Sequence, residues 1–171
     1  MEKVKIPVTV DPIRAAAKNL DYEGIIAPED LTRLASMVIE VLEPADVQVT
    51  FEKELNGLHV IKGHASVRVR QQCQRCGEPI DNFVEGDFRY TTDEKLLQQL
   101  DLEDLYDAVE LNSFGELPLH DIIEDELILS LPVVAHHPEG ECHIAGDFGV
   151  QDAEPEEKKN PFAVLGTLFN K

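Results

Sequence analysis

The sequence predicts an α+β fold: an antiparallel β-sheet, hairpin-based and barrel-like or strongly twisted, flanked by short helices and followed by an acidic flexible C-terminal linker. Three observations carry this. From Asp46 to Tyr90 apolar and polar residues alternate with a period of two around Asn56-Gly57, the mark of long paired strands. On either side of that region the apolar spacing changes to the three-and-four pattern of helices, in short runs. Finally, 171 residues fit one medium domain with tails.

The elements follow in order. Residues 3–10 alternate polar and apolar side chains as a half-buried strand does, and Asp11-Pro12 supplies a helix cap with proline in the first turn, predicting a helix over 13–19. Gly24 and Pro28 break the pattern. Pro28-Glu29-Asp30 then opens a second helix with Leu31, Leu34, Ala35 and Val38 on its core face. Val47, Val49, Phe51 and Leu55 define one side of the next strand, and Asn56-Gly57 predicts a type I′ hairpin turn. The return strand spans 58–71. Its apolar positions slip from Leu58 and Val60 to Ala65, Val67 and Val69, which predicts a bulge near Lys62-Gly63. Ile80, Val84, Phe88 and Tyr90 give a third strand.

Residues 93–106 read as a short acidic helix and 108–111 as a short strand. Gly115-Glu116-Leu117-Pro118 starts the clearest helix, with Leu119, Ile122, Ile123, Leu127 and Leu131 inward and Pro132 at its end. Asp121, Glu124, Asp125 and Glu126 read as its solvated face. The expected domain is 1–145, followed by an acidic linker at 146–159 and an apolar segment at 160–171. Phe162, Leu165 and Phe169 share one helical face of that last segment, either folding back on the domain or acting as a tethered docking peptide.

The formal net charge is −19, from 15 basic and 34 acidic residues, and it is unevenly spread. Residues 1–92 carry 11 basic and 15 acidic groups, 93–157 carry 1 and 19, and 158–171 carry 3 and none. Such a surface repels phosphates, so broad nucleic-acid coating is disfavoured, and its two readings are solubility or selection of a basic partner protein. No apolar stretch is long enough for a signal peptide or a membrane span, so a cytoplasmic location is expected and a membrane role is not.

All three cysteines fall in two clusters, Cys73-Gln74-Arg75-Cys76 between two predicted strands and Cys142 near His136, His137 and His143. Two thiols two residues apart form a knuckle that presents both sulfurs to one ion, and a distant N/S cluster completes a tetrahedron. Cys73, Cys76, His137 and Cys142 are therefore the candidate ligands of a structural zinc. The five-residue separation of His137 from Cys142 leaves room for a turn through Pro138 and Gly140; adjacent His143 reaches the same ion poorly, and His136 is the reserve. The alternatives are unliganded thiols or a redox pair, although a redox pair belongs at a helix N-terminus, where the dipole lowers a thiol pKa.

Arg68, Arg70 and Arg75, with Arg89 on the neighbouring strand, form a second candidate site. They are either a cationic strip for local RNA phosphate contact or internal partners of nearby carboxylates. No phosphate loop, dinucleotide fingerprint, His-Glu-x-x-His or Gly-x-Ser-x-Gly motif is present, so no catalytic residues are assigned and no small-molecule substrate is expected.

Several motifs in fixed order give the chain a family likeness: Val4-Lys5-Ile6-Pro7 through Asp11-Pro12-Ile13-Arg14, Leu20-Asp21-Tyr22-Glu23-Gly24-Ile25, Cys73-Gln74-Arg75-Cys76-Gly77, Asn112-Ser113-Phe114-Gly115-Glu116 with Glu124-Asp125-Glu126-Leu127-Ile128-Leu129, Leu131-Pro132-Val133-Val134, and Asn160-Pro161-Phe162-Ala163-Val164-Leu165. In these the chain resembles the YceD family, the large ribosomal RNA subunit accumulation proteins, over nearly its whole length. The resemblance implies a role in synthesis, processing or stability of large-subunit (23S) ribosomal RNA and supplies no catalytic residues. Taken with the acidic surface, that role makes large-subunit ribosomal proteins or rRNA-maturation factors the expected partners, and the arginine strip keeps any direct rRNA contact local. Some relatives carry cysteines near His137 and Cys142, which supports both as metal-site positions. The competing expectation is an RNA-processing or redox enzyme using Cys73 and Cys76.

Overall fold

A computed structural model of the chain describes residues 4–142. The expected linker at 146–159 and apolar segment at 160–171 lie outside the described residues. In order the elements are β1 (Thr9–Val10), α1 (Pro12–Ala17), β2 (Asp21–Ile26), a 3-10 turn (Pro28–Asp30), α2 (Thr32–Met37), β3 (Glu40–Val41), β4 (Ala45–Lys53), β5 (His59–Gln72), β6 (Pro79–Thr91), α3 (Glu94–Gln99), β7 (Asp107–Ala108), β8 (Leu117–Pro118) and α4 (Leu119–Leu129). The main sheet runs β2-β4-β5-β6-β7, with β3 pairing to β5 beyond the end of β4. Its pairings are antiparallel except that of β6 with β7, and the sheet is open: the barrel-like form of the expected fold does not close. No helix among the described residues is long and apolar enough to cross a membrane.

One face of the sheet carries the core. Val47, Val49 and Phe51 of β4, Ala65, Val67 and Val69 of β5, and Val84 and Phe88 of β6 meet Ala15 and Ala16 of α1, Leu34 of α2, and Leu119, Ile123 and Leu127 of α4. Each fully buried leucine contributes about 1.5–3 kcal/mol, so the three helices are fixed by area more than by propensity. Asp11 caps α1 as expected, its carboxylate accepting the Arg14 N–H at 3.0 Å ahead of Pro12 at the first turn.

Several expectations are corrected. Of the strand expected over 3–10, the described part pairs through Thr9–Val10 with β8 and through a parallel bridge from Lys5 to Ile25. Pro7, without an N–H, stands between the two contacts. Gly24 is a strand residue rather than a breaker, because a side chain there would run into the Val4 carbonyl, which accepts the Ile25 N–H at 2.9 Å. Ala35 is exposed, since α2 is too short to turn more than Leu34 into the core after Leu31. Leu55 lies in the hairpin loop and is exposed. That turn is not type I′: Gly57 alone in it has positive φ, at +94°, and the N–H of Gly57 reaches the Glu54 carbonyl at 2.9 Å.

The bulge expected near Lys62-Gly63 is absent, for β4 and β5 pair without interruption from Asp46↔Ser66 to Lys53↔His59. The change of parity marks a second small core. Leu58 and Val60 pack against Leu97 of α3, with Leu96, Leu102 and Tyr106 around them. Gly63 faces the main core, and the ring of Phe88 from β6 occupies the space a side chain would need.

The acidic helix expected at 93–106 contracts to α3 followed by turns, and the strand expected at 108–111 shortens to β7. Leu117 and Pro118 pair with β1 before α4 begins. The acidic row of α4 is not wholly solvated. Glu124 is 4% exposed, and its carboxylate accepts the backbone N–H groups of Arg33 at 2.7 Å and Leu34 at 3.0 Å and the Arg33 Nε–H at 2.9 Å. It thereby caps the first turn of α2 from another helix, satisfying donors that a helix start leaves without partners. Arg33 completes the clasp on Asp125 and on the Asp121 carbonyl.

Candidate metal centre

The β5–β6 connection is built to present two thiols. The Cys73 N–H donates to the Glu78 carbonyl and the Gly77 N–H to the Cys73 carbonyl, both at 2.9 Å. Gly77 takes φ +80°, the left-handed conformation that closes such a turn. After α4 the chain returns to this knuckle: the Gln74 N–H donates to the Ala135 carbonyl at 2.8 Å and its side-chain amide to the Val133 carbonyl at 3.3 Å. Those bonds bring His137 and Cys142 beside Cys73 and Cys76.

The four expected ligands converge, their donor atoms lying within 4.8 Å of one another. Cys73 Sγ is 3.6 Å from Cys142 Sγ, and His137 Nδ1 is 3.4 Å from Cys76 Sγ and 3.7 Å from Cys142 Sγ. Metal–sulfur bonds of about 2.3 Å and metal–nitrogen bonds of about 2.0 Å place neighbouring ligands of a tetrahedron roughly 3.5–3.8 Å apart, so the spacing suits one four-coordinate ion. The histidine is oriented for it. His137 Nε2 lies 3.2 Å from the Pro79 carbonyl, an acceptor only, so the proton belongs on Nε2 and the Nδ1 lone pair faces the thiols.

Burial pushes the Cys73 thiol up, but the backbone N–H groups of Cys76, His137 and Arg75 aimed at its sulfur outweigh burial and bring it down to about 5. Cys142 moves up, through burial and the neighbouring Cys73 and Cys76 sulfurs. The Cys142 thiol, crowded by the other two sulfurs, resists ionisation unless a cation sits among them, which is the chemistry of a thiolate metal site. His136, the reserve ligand, is exposed and its Nδ1 faces the His137 carbonyl; His143 lies outside the described residues.

The structure divides the four arginines. Arg70 makes a two-pronged pair with Asp81, at 2.7 and 3.0 Å, and reaches Glu40 at 3.2 Å. Arg68 pairs with Glu43 at 3.2 Å and lies over the Phe83 ring, while Arg75 is exposed on the knuckle itself. Arg89 is not with them. It stands opposite Lys62 whereas Arg70 stands opposite Asp81, a separation of roughly 25 Å along the ladder. Sequence reasoning missed the Arg33–Glu124 clasp and the anchoring role of Gln74, since neither residue type nor spacing distinguishes them from ordinary surface groups.

Residues 61–169 match the family described as Large ribosomal RNA subunit accumulation protein YceD, a span that takes in most of β5, the knuckle, α4 and all four candidate ligands. The Large ribosomal RNA subunit accumulation protein YceD of Haemophilus influenzae is 42% identical over 174 aligned residues, covering 100% of both chains. No solved structure matches the chain. Matched through the site and along its whole length, the chain belongs to the YceD family.

Proposed function

We propose that this protein supports accumulation of large-subunit (23S) ribosomal RNA as a non-catalytic interaction protein of the cytoplasm, with structural zinc held by Cys73, Cys76, His137 and Cys142. The full-length likeness to a relative named for that role carries the reading. The donor set supports its non-catalytic part: three thiols and one imidazole supply all four ligands of a tetrahedral zinc, whereas catalytic zinc keeps a position for water or substrate. Bound there, zinc would neutralise the crowded sulfurs and tie the β5–β6 turn to the chain after α4.

The partners on this reading are basic large-subunit ribosomal proteins or maturation factors, favoured by the net charge of −19. Direct RNA contact is confined to the knuckle end of the sheet, where Arg68, Arg70 and Arg75 gather, with Arg89 as a separate cation. Two measurements test the whole. Replacing the cellular copy with Cys73→Ser/Cys142→Ser should lower the ratio of 23S to 16S RNA, and purified wild type should carry about one zinc per chain that the variant lacks. Zinc-free wild type purified under reducing conditions would overturn the metal assignment. Metal-dependent cleavage of precursor rRNA by the purified protein alone would overturn the non-catalytic one.

A further inference from the structure

β6 is paired with β5 from Val60↔Thr91 to Gln72↔Pro79, but on its other side β7 meets only Tyr90 and Thr91. Among the described residues no strand pairs with 80–89 along that edge. Alternate residues there direct N–H and C=O groups away from β5, leaving a template roughly 30 Å long. The opposite edge of the sheet differs, because main-chain bonds of Val4 and Ile6 to Ile25 cover part of β2.

From Glu85 onward the open edge is acidic, whereas at its knuckle end Asp81 is already paired with Arg70. On the outer face of β6, Glu85 and Asp87 are 62% and 85% exposed, and Asp87 meets His64 at 2.9 Å. Where the strand ends, a cavity of about 230 Å³ gathers Asp87, Glu103, Asp104, Asp107 and Glu126, with Arg89 as the basic residue of its lining. Burial, together with the charges of Asp107 and Asp87, pushes the Glu126 carboxyl upward, so a cation entering there would relieve crowding among like charges. A second copy laid along this edge would set carboxylates against carboxylates, and RNA would set phosphates against them. The chemistry that fits is an extended chain bearing lysine or arginine.

We propose that the open edge of β6 accepts an extended basic segment of a partner protein by strand addition, its main chain pairing with residues 80–89 and its cations lying along Glu85, Asp87 and the acidic cavity. The inference rests on the preceding reading in taking the partner to be a basic protein. Its test is independent of RNA levels and of zinc. The full-length protein, isotope-labelled, is titrated with a synthetic peptide of about ten residues alternating lysine and threonine. Comparison peptides carry N-methyl groups at alternate residues, or glutamate in place of lysine.

The expected result is saturable binding that slows exchange of alternate amides within 80–89. N-methylation and the Glu85→Lys/Asp87→Lys variant should each weaken it by about tenfold or more. Equal binding of the N-methylated peptide, protection mapped elsewhere, or no binding would overturn strand addition while leaving the rRNA and zinc measurements standing. So would slow exchange of those amides before peptide is added, which would show the edge already covered by this chain's own later residues or by a second copy.

Discussion

α4 and the segment that follows it are held to the same sheet by opposite means. Leu119, Ile123 and Leu127 of α4 are fully buried, and Glu124 locks the helix to the start of α2. Beyond Leu131, which still packs against the core, little apolar surface is covered up to 142: Val133 is 92% exposed, Val134 faces solvent, and Ala135 is the buried exception. That segment is placed by two hydrogen bonds from Gln74 and by the cluster of three thiols and one imidazole. Area makes the first attachment strong and tolerant of detail; direction makes the second exact in position and dependent on its ligands.

The largest expected effect lies in the first region. Leu127→Ala should cost about 2–5 kcal/mol of global stability in urea unfolding, through lost transfer energy and the cavity left between α4 and the sheet. On the proposed zinc reading, metal content of the folded fraction should not change. A folded variant that had lost its metal would mean that the two attachments are one. Glu124→Gln should come next, at about 2–3 kcal/mol, because the amide keeps the size of the side chain but loses the charge-assisted acceptance of the Arg33 and Leu34 donors. A double-mutant cycle with Arg33→Met separates the clasp from the capping of α2, and additive effects would remove the clasp from the account.

The two regions also differ in what the sequence reveals of them. Burial by area leaves periodicity, so β4, β5, β6 and the apolar row of α4 are legible. Ligand chemistry leaves residue types, so the convergence of Cys73, Cys76, His137 and Cys142 is legible as a set, and His136, the reserve, lies exposed beside it. Contacts that depend on which elements become neighbours leave neither trace. Glu124 looks like Asp121 and Asp125 until α2 arrives beside it, and Gly24 looks like a breaker until the chain at Val4 is laid across it. Leu58 and Val60 mislead for a related reason: their parity is that of the outer face, and only α3 makes an oily pocket there.

On the proposed zinc reading, removing metal probes the second region, with a smaller and local outcome. A chelator, or Cys142→Ser, should speed amide exchange at 73–78 and 133–142 while amides of β4 and of the middle of α4 keep their protection. The shift in urea midpoint should be smaller than that of Leu127→Ala. Loss of protection throughout α4 would show that the ligand cluster supports the core, erasing the difference between the attachments.

The smallest effect belongs to the outer face of the sheet beside the knuckle, where Arg70 pairs with Asp81. The guanidinium holds the Asp81 carboxyl below its ordinary value of 3.8, chiefly through their hydrogen bonds. A carboxylate whose folded pKa is depressed adds stability above its unfolded pKa and loses it as pH falls through the folded one. Wild type should therefore exceed Arg70→Gln slightly at neutral pH, and the gap should close below about pH 4. Both groups face solvent, so added salt should shrink the gap as well. Carboxyl NMR titration reads the pair directly: the Asp81 midpoint should rise toward 3.8 in Arg70→Gln. An unchanged midpoint would mean that the pair sets geometry alone, leaving Arg70 as free electrostatically as Arg75 to meet a phosphate.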